Sequence, residues 1–191
     1  MNKKNLILGL TGSVATIKAV PLLDLLTEKF NVTIVATDAS YKFISQEEKI
    51  SLESKAKVYT DKDEWEHVDI KSRQALHIEL RKWADCLLIA PCSANTLAKI
   101  ANGLADNLLT SIIRAWDYND KSMFIAPAMN TMMWDNPFTK LHLNTMKEIS
   151  KNVFIIDPIA KKLFCGDIGM GAMAEIKDIA FIVQLSCYNP H

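Results

Sequence analysis

The chain has 191 residues, of which 49% are hydrophobic and 23% are charged, as is typical of a soluble globular protein. Lysine plus arginine and aspartate plus glutamate each total 22, so the net charge is zero and no nucleic acid partner is expected, because phosphate backbones require clustered positive charge. No apolar run approaches the roughly 20 residues that cross a bilayer, which predicts a cytoplasmic protein with no membrane partner.

Five apolar runs predict the strands of a buried parallel sheet. The runs lack the alternation of a half-exposed strand, as expected for strands that are covered on both faces. In chain order, the predicted strands are 5–11, 31–37, 84–91, 122–128 and 152–157.

Stretches with helical spacing separate these runs. The predicted helices are 14–28, 72–83, 93–114 with a break near Gly103, and 131–149. Pro21 is predicted to kink the first helix or to mark its true start. The polar, poorly periodic segment 41–72 is predicted to lie over the surface. The alternation of strands and helices predicts an α/β fold with a doubly wound parallel sheet, in one domain that spans residues 1–191.

Polar residues follow two of the predicted strands, at the sheet edge where open α/β sheets bind ligands. Gly12 and Ser13 lie at the first strand-to-helix turn, and Ser93, Asn95 and Thr96 lie at another. The first turn taken alone is explained equally well by an anion site and by Ser13 as an N-cap without a ligand. Two donor-rich turns side by side favour the phosphate of a mononucleotide cofactor, although the first turn matches neither the GxGxxG nor the P-loop pattern.

Asn130 and His77 are the next candidates. Asn130 directly follows a predicted strand, where its amide could bind a carboxylate; a methionine-rich core helix capped by Asn130 is the alternative, which those residues alone favour. His77 lies beside an apolar helical stripe, where histidines are usually packing residues. Its functional interpretation is a general base, because histidine titrates near neutral pH.

A glycine-rich stretch, LFCGDIGMGAMAE at 163–175, contains Cys165 and three of the chain's six glycines. A flap around 160–175 that closes over the substrate and carries a proton donor or nucleophile is the functional hypothesis; a turn with an incidental thiol is the alternative. The four cysteines form no CxxC pair and have no histidine at zinc spacing, so no metal site is predicted.

Five motifs occur in order: GSVA at 12–15, LHIELRKWAD at 76–85, SANTLAKIANGLADNLLT at 93–110, PAMNTMMW at 127–134 and CGDIGMGAMAE at 165–175. Together they closely resemble the phosphopantothenoylcysteine decarboxylases, a group of the homo-oligomeric flavin-containing cysteine decarboxylases. Several long motifs in one order are far more specific than any one of them.

The resemblance implies a Rossmann-like, flavodoxin-like domain that binds FMN and forms a homotrimer, with FMN at the subunit interfaces. It implies FMN-dependent decarboxylation of 4′-phosphopantothenoylcysteine to 4′-phosphopantetheine and carbon dioxide, a step of coenzyme A biosynthesis. The flavin would supply the redox chemistry, and the protein would supply orientation and protons.

The resemblance also implies roles for individual residues. His77 is assigned as the base or orienting group, Cys165 as the final proton donor, and Asn130 and Met132 as substrate contacts, with Asn130 on the carboxylate. Phe43 is a candidate contribution from a neighbouring subunit. The implied FMN contacts are Gly12, Ser13, Val14, Thr37, Phe43, Ser93, Ala94, Asn95, Thr96, Arg114, Ala128 and Met129.

Related proteins leave other functions open. A regulatory subunit of a protein phosphatase is one alternative, which the absence of a long acidic extension disfavours. A peptidyl-cysteine decarboxylase on the same scaffold is another, and the CGDIGMGAMAE stretch favours the pantothenate pathway over it. A flavin prenyltransferase is disfavoured by the PAMNTMMW asparagine motif.

Overall fold

A six-stranded parallel sheet forms the centre of the molecule in a computed structural model that describes residues 2–66, 75–162 and 168–188. The strand order is β3-β2-β1-β4-β5-β6, and every neighbouring pair is parallel. The five predicted strands are confirmed with small shifts in their ends. The strands are β1 (Lys4–Leu10), β2 (Phe30–Ala36), β3 (Lys57–Tyr59), β4 (Cys86–Cys92), β5 (Ser122–Pro127) and β6 (Val153–Ile155).

Helices cover both faces of this sheet, as the doubly wound prediction requires. The 3-10 helices are η1 (Val14–Lys18) and η2 (Ser40–Phe43). The α-helices are α1 (Ala19–Thr27), α2 (Gln46–Lys55), α3 (Asp61–Glu66), α4 (Leu76–Trp83), α5 (Ala94–Ala101), α6 (Leu108–Arg114), α7 (Thr131–Trp134), α8 (Pro137–Ile149) and α9 (Ile176–Tyr188).

Successive side chains of β1 enter two separate hydrophobic cores. Leu6 and Leu8 pack with residues of α1, α2 and α9, whereas Ile7 packs with residues of α4, α5, α6 and α8. All three side chains are fully buried. This two-sided burial explains why the strand sequences are continuously apolar.

Local sequence signals account for the ends of three helices. Pro21 is the third residue of α1, within the first turn, so it marks the start of the helix and does not kink it. The break near Gly103 is confirmed: α5 ends at Ala101, and Gly103 adopts a φ of +69°. The single helix predicted over 131–149 is wrong, because Asn136 caps a new helix that has Pro137 as its first residue.

The polar segment 41–72 contains more structure than the surface path predicted for it. Its described part forms α2, the edge strand β3 and the short helix α3. Glu64 in α3 is buried, with only 7% of its surface exposed. Most of the other described side chains of the segment are exposed or half-buried, so the predicted surface position is confirmed. Its helices and edge strand gave no sequence signal because such short elements lack a long hydrophobic period.

The described parts of the predicted flap region, 160–175, contain two antiparallel strands. They form a hairpin and are β7 (Ile159–Lys162) and β8 (Ile168–Ala172). The stretch between them contains Cys165 and lies outside the described residues. Among the helices that the structure describes, none is long and apolar enough to span a membrane.

Candidate functional site

The ends of β1 and β4 are joined by one buried hydroxyl group. Thr11 has no exposed surface, and its Oγ1 donates a hydrogen bond to the Pro91 carbonyl at 2.7 Å. The same oxygen accepts a hydrogen bond from the Ser93 backbone N–H at 2.8 Å. The Thr37 N–H donates to the Leu10 carbonyl at 3.0 Å, which ties the end of β2 to the same place. Three strand ends therefore form one rigid platform.

A cavity of about 1000 Å³ lies over this platform. It is at the upper end of the range of small-molecule sites, about 300–1,000 Å³. Of the residues predicted from the sequence, those that line it are Gly12, Ser13 and Val14 after β1, Thr37 and Phe43 after β2, Ser93, Ala94, Asn95 and Thr96 after β4, and Ala128, Met129 and Asn130 after β5. The structure thus brings together residues from four separate strand ends.

Three described candidates do not line this cavity: His77, Met132 and Arg114. Met132 is 74% exposed, and its neighbour Met133 contributes to the wall instead. Phe43 lines the cavity of its own chain, so it needs no second subunit to reach it. Cys165 lies outside the described residues.

Two backbone turns make one wall of the cavity suited to an anion. Ser93 is the N-cap of α5, and its Oγ accepts a hydrogen bond from the Thr96 N–H at 3.2 Å. First-turn N–H groups of a helix have no intrahelical acceptor and carry partial positive charge. At the other turn, a Cβ on Gly12 would lie 2.7 Å from the Ala39 Cβ, so only glycine permits this close backbone approach.

A group of acidic residues, which the sequence analysis missed, lines another part of the cavity. Burial raises the pKa of the Asp61 carboxyl, and the negative charges of Asp38 and Asp106 act in the same direction. The hydrogen bond from the Leu108 N–H to Asp61, 2.8 Å long, acts in the opposite direction. Lys99 pairs with Asp106 and also lines the cavity. Such carboxylates suit the hydroxyl or amide donors of a ligand, not its phosphate.

Lys18 and Lys161 add positive charge to the cavity wall and were also missed. Both contact the carboxylate of Glu175, at 3.6 Å and 2.9 Å respectively. The hydrogen bond from Lys161, with the charges of both lysines, lowers the pKa of Glu175. Glu175, the residue directly before α9, therefore joins η1 to strand β7 of the hairpin.

The hairpin of β7 and β8 is attached to the platform by its backbone. The Met129 N–H donates to the Gly171 carbonyl at 2.9 Å. Gly171 has a φ of +126°, and a Cβ on it would overlap the Met129 carbonyl oxygen. Asn130 follows immediately and caps α7 by accepting the Met132 N–H at 2.8 Å. The alternative interpretation is therefore confirmed in its N-cap, and Asn130 also lines the cavity. Its methionine-rich core helix is wrong, because Met132 and Met133 are 74% and 48% exposed.

His77 is paired with a buried carboxylate that no sequence signal identified. Glu64 Oε1 lies 2.6 Å from His77 Nδ1, and Glu64 Oε2 accepts the His77 backbone N–H at 3.0 Å. The side chains of Glu64 and His77 are 10% and 27% exposed. Because the contact joins α3 to α4 across 13 positions, it depends on tertiary packing and not on a local pattern.

Cys92 lies next to the phosphate-suited turn but is an inert thiol. It is completely buried, and burial raises its pKa to about 12. A thiol must be ionised to act as a nucleophile. Cys92 is thus a packing residue of β4.

The fold and site define a flavin-binding α/β protein, and the chain belongs to the Flavoprotein family, whose model matches residues 1–186. It is 65% identical to a Dictyostelium discoideum relative over 178 residues, covering 93% of this chain and 90% of the relative. It is 52% identical to the phosphopantothenoylcysteine decarboxylase of Oryza sativa subsp. japonica, covering 97% of this chain and 82% of that protein.

Two solved structures are similar over nearly the whole chain. One is a mutant of PPC decarboxylase complexed with pantothenoylaminoethenethiol, with a TM-score of 0.91, 50% identity and coverage of 96% of this chain and 98% of that chain. The other is the FMN binding protein AtHal3, with a TM-score of 0.87, 50% identity and 96% coverage of both chains.

Replacing Gly171 by alanine is expected to release the hairpin from the platform. A side chain at this positive φ costs about 1–2 kcal/mol before its overlap with Met129 is counted. A loss of that size raises the open population about 5- to 30-fold. Trypsin should therefore cut after Lys161 or Lys162 correspondingly faster, as followed by mass spectrometry, whereas Ala160→Ser in β7 should leave the rate unchanged. An unchanged rate in Gly171→Ala would contradict the anchoring role.

Proposed function

We propose that this protein is an FMN-dependent decarboxylase that converts 4′-phosphopantothenoylcysteine to 4′-phosphopantetheine and carbon dioxide, a step of coenzyme A biosynthesis. The observation that carries the proposal is the placement of Asn130 on the wall of the same cavity as the turns at Gly12 and Ser93. A carboxylate-binding amide and a phosphate-suited wall then face one cavity. The identity of 50% or more to named phosphopantothenoylcysteine decarboxylases supports the assignment.

The cavity has the features that FMN requires. A phosphate fits the N–H groups of the two turns, and glycine at position 12 lets the first turn pack closely against Ala39. A flat aromatic ring needs an apolar wall, which Val14, Phe43, Met129 and Met173 provide. A bound FMN would supply the two-electron acceptor and donor for the cysteine moiety of the substrate.

The side chains of this protein position the substrate and move its protons. Asn130 uses Oδ1 to cap α7, and its amide N–H donors are the groups suited to the substrate carboxylate. His77 is the base, and Cys165, which belongs to the stretch between β7 and β8, is the donor of the last proton. The hairpin closes over the substrate and excludes water.

The protein works as a homotrimer in which a neighbouring copy completes each site. His77 does not line the cavity that the described residues of its own chain form, which supports a base that serves the cavity of another copy. Large apolar side chains at the cavity, Ile17, Phe43 and Met133, are 37% to 53% exposed. Exposed apolar surface beside a site is typical of an interface. The interface thereby holds FMN between subunits.

Asn130→Asp should abolish most of the activity while preserving the fold. Aspartate still caps α7, but its charge opposes the substrate carboxylate by about 1–4 kcal/mol, so kcat/KM should fall about fivefold or more. The measurement is mass spectrometry of 4′-phosphopantetheine and carbon dioxide formed from 4′-phosphopantothenoylcysteine. Asn136→Asp is the matched control, because Asn136 caps the exposed start of α8 and should tolerate the change. Equal kinetics for both variants would remove Asn130 from the site.

Gly12→Ala should weaken FMN binding. The new Cβ pushes against the Ala39 Cβ and displaces the turn, so the Kd for FMN should rise about tenfold or more in a flavin fluorescence titration. The double variant Gly12→Ala/Ala39→Gly removes the obstructing Cβ and should recover most of the affinity. A wild-type protein that is colourless and fails to bind added FMN would overturn the cofactor assignment.

Mixed oligomers should test whether a neighbouring copy supplies His77. His77→Asn and Asn130→Asp should each be nearly inactive alone. Random mixing of the two subunits should restore roughly a quarter of wild-type activity, because that fraction of interfaces pairs an intact His77 with an intact Asn130. Activity that stays at the level of the separate variants would show that each site lies within one chain.

A further inference from the structure

The carboxylate of Glu64 makes two different contacts with one residue. Oε2 accepts the backbone N–H of His77, and Oε1 contacts the ring nitrogen Nδ1 at 2.6 Å. An ionised carboxylate only accepts hydrogen bonds, so Nδ1 must carry a proton in this contact. In the neutral ring the lone pair is then on Nε2.

Helix capping explains only one of these contacts. The N-cap residue of α4, Ala75, offers no side-chain acceptor, and His77 is in the first turn, where backbone N–H groups lack partners. Glu64 Oε2 satisfies one of these groups from a different helix. Capping requires only Oε2. It does not explain why Oε1 lies against Nδ1 of the imidazole ring.

The helix that carries Glu64 is held firmly at its start. Asp63 Oδ2 accepts the backbone N–H and the hydroxyl of Thr60 at 2.7 and 2.8 Å. Asp61 accepts the Leu108 N–H at the start of α6. Asp61 and Glu64 are three residues apart and so share a face of α3. One short helix therefore supplies acceptors to first-turn N–H groups of both α6 and α4, and it presents Glu64 at a defined position.

We infer that Glu64 is the positioning residue for His77, and that it holds the ring proton on Nδ1 so that Nε2 is the basic nitrogen. The inference rests on the proposed function for its chemistry. When the thiol of the substrate gives up its proton, Nε2 accepts it, and the carboxylate of Glu64 offsets the charge of the imidazolium. The same proton returns when the thiol of the product re-forms, so His77 ends the turnover in its starting state. The one proton that decarboxylation consumes comes from Cys165, and solvent replaces it.

Glu64→Gln separates the positioning role from the capping role. The amide oxygen of the substituted side chain can still accept the His77 N–H, so the cap of α4 remains. Its NH₂ group then faces Nδ1 and donates a hydrogen bond to it. The ring proton therefore moves to Nε2, and Nε2 no longer has the lone pair that could accept the proton of the substrate. A residue that only caps the helix would leave the tautomer unchanged.

The experiment uses FMN-loaded protein labelled with ¹⁵N-histidine. The ring resonances of His77 are identified by their loss in His77→Asn, and ¹⁵N shifts report which nitrogen carries the proton. The wild-type neutral ring should carry it on Nδ1, and Glu64→Gln should carry it on Nε2. In the same variant kcat should fall about 10- to 100-fold, while KM and the Kd for FMN should change little.

Two further variants complete the test. Glu64→Asp keeps a carboxylate and should keep the proton on Nδ1, with kcat well above that of Glu64→Gln. Glu66→Gln, an exposed change two residues along α3, should behave as wild type in both measurements.

A wild-type ring protonated on Nε2, or a Glu64→Gln variant with an unchanged tautomer, would overturn the inference. A switched tautomer with unchanged kcat would overturn it too. If Glu64→Gln fails to fold, the inference is still tested by the tautomer of the wild-type ring and by the tautomer and kcat of Glu64→Asp. Absence of decarboxylation in wild type would count against the proposed function alone, since the tautomer is measured without turnover.

Discussion

The whole site depends on the hydroxyl of Thr11. It donates to the Pro91 carbonyl and accepts the Ser93 N–H, so one buried atom joins the chain after β1 to the chain after β4. A buried hydrogen-bonding group that lost its partners would cost about 1–3 kcal/mol, which makes the two turns move as one body. Phosphate-suited N–H groups on separate turns need this coupling, because they bind one group only if their spacing is constant.

Backbone contacts also fix the hairpin of β7 and β8 to the edge of the sheet that carries the site. Gly171 approaches Met129 so closely that a side chain is excluded, and the adjacent Asn130 caps α7 on the cavity wall. The hairpin is thus anchored at the residue next to the proposed carboxylate-binding group. Lys161 reaches Glu175 from the other strand of the hairpin. Both strands of the hairpin are therefore tied to the body of the protein beside the cavity.

Much of the fold was predictable because its signals are local. Continuous apolar runs indicated strands buried on both faces, and Pro21 and Gly103 marked helix ends through their own backbone preferences. The turn residues Gly12 and Ser93 were identified by the same kind of signal. The split at Asn136 was missed, although the Asn-Pro pair is itself a local start signal, because the methionine-rich stretch before it has helical spacing.

The sequence by itself determined the parallel α/β sheet, the strand ends that carry polar residues and the candidates Asn130 and His77. Only the tertiary structure decided which candidates share a cavity, that His77 lies outside the cavity of its own chain, and that Glu64 is its partner. The physical reason is the distance along the chain over which each interaction acts. Propensity and capping act over a few residues, whereas the contacts of Glu64 with His77 and of Met129 with Gly171 exist because packed helices and strands bring distant segments together.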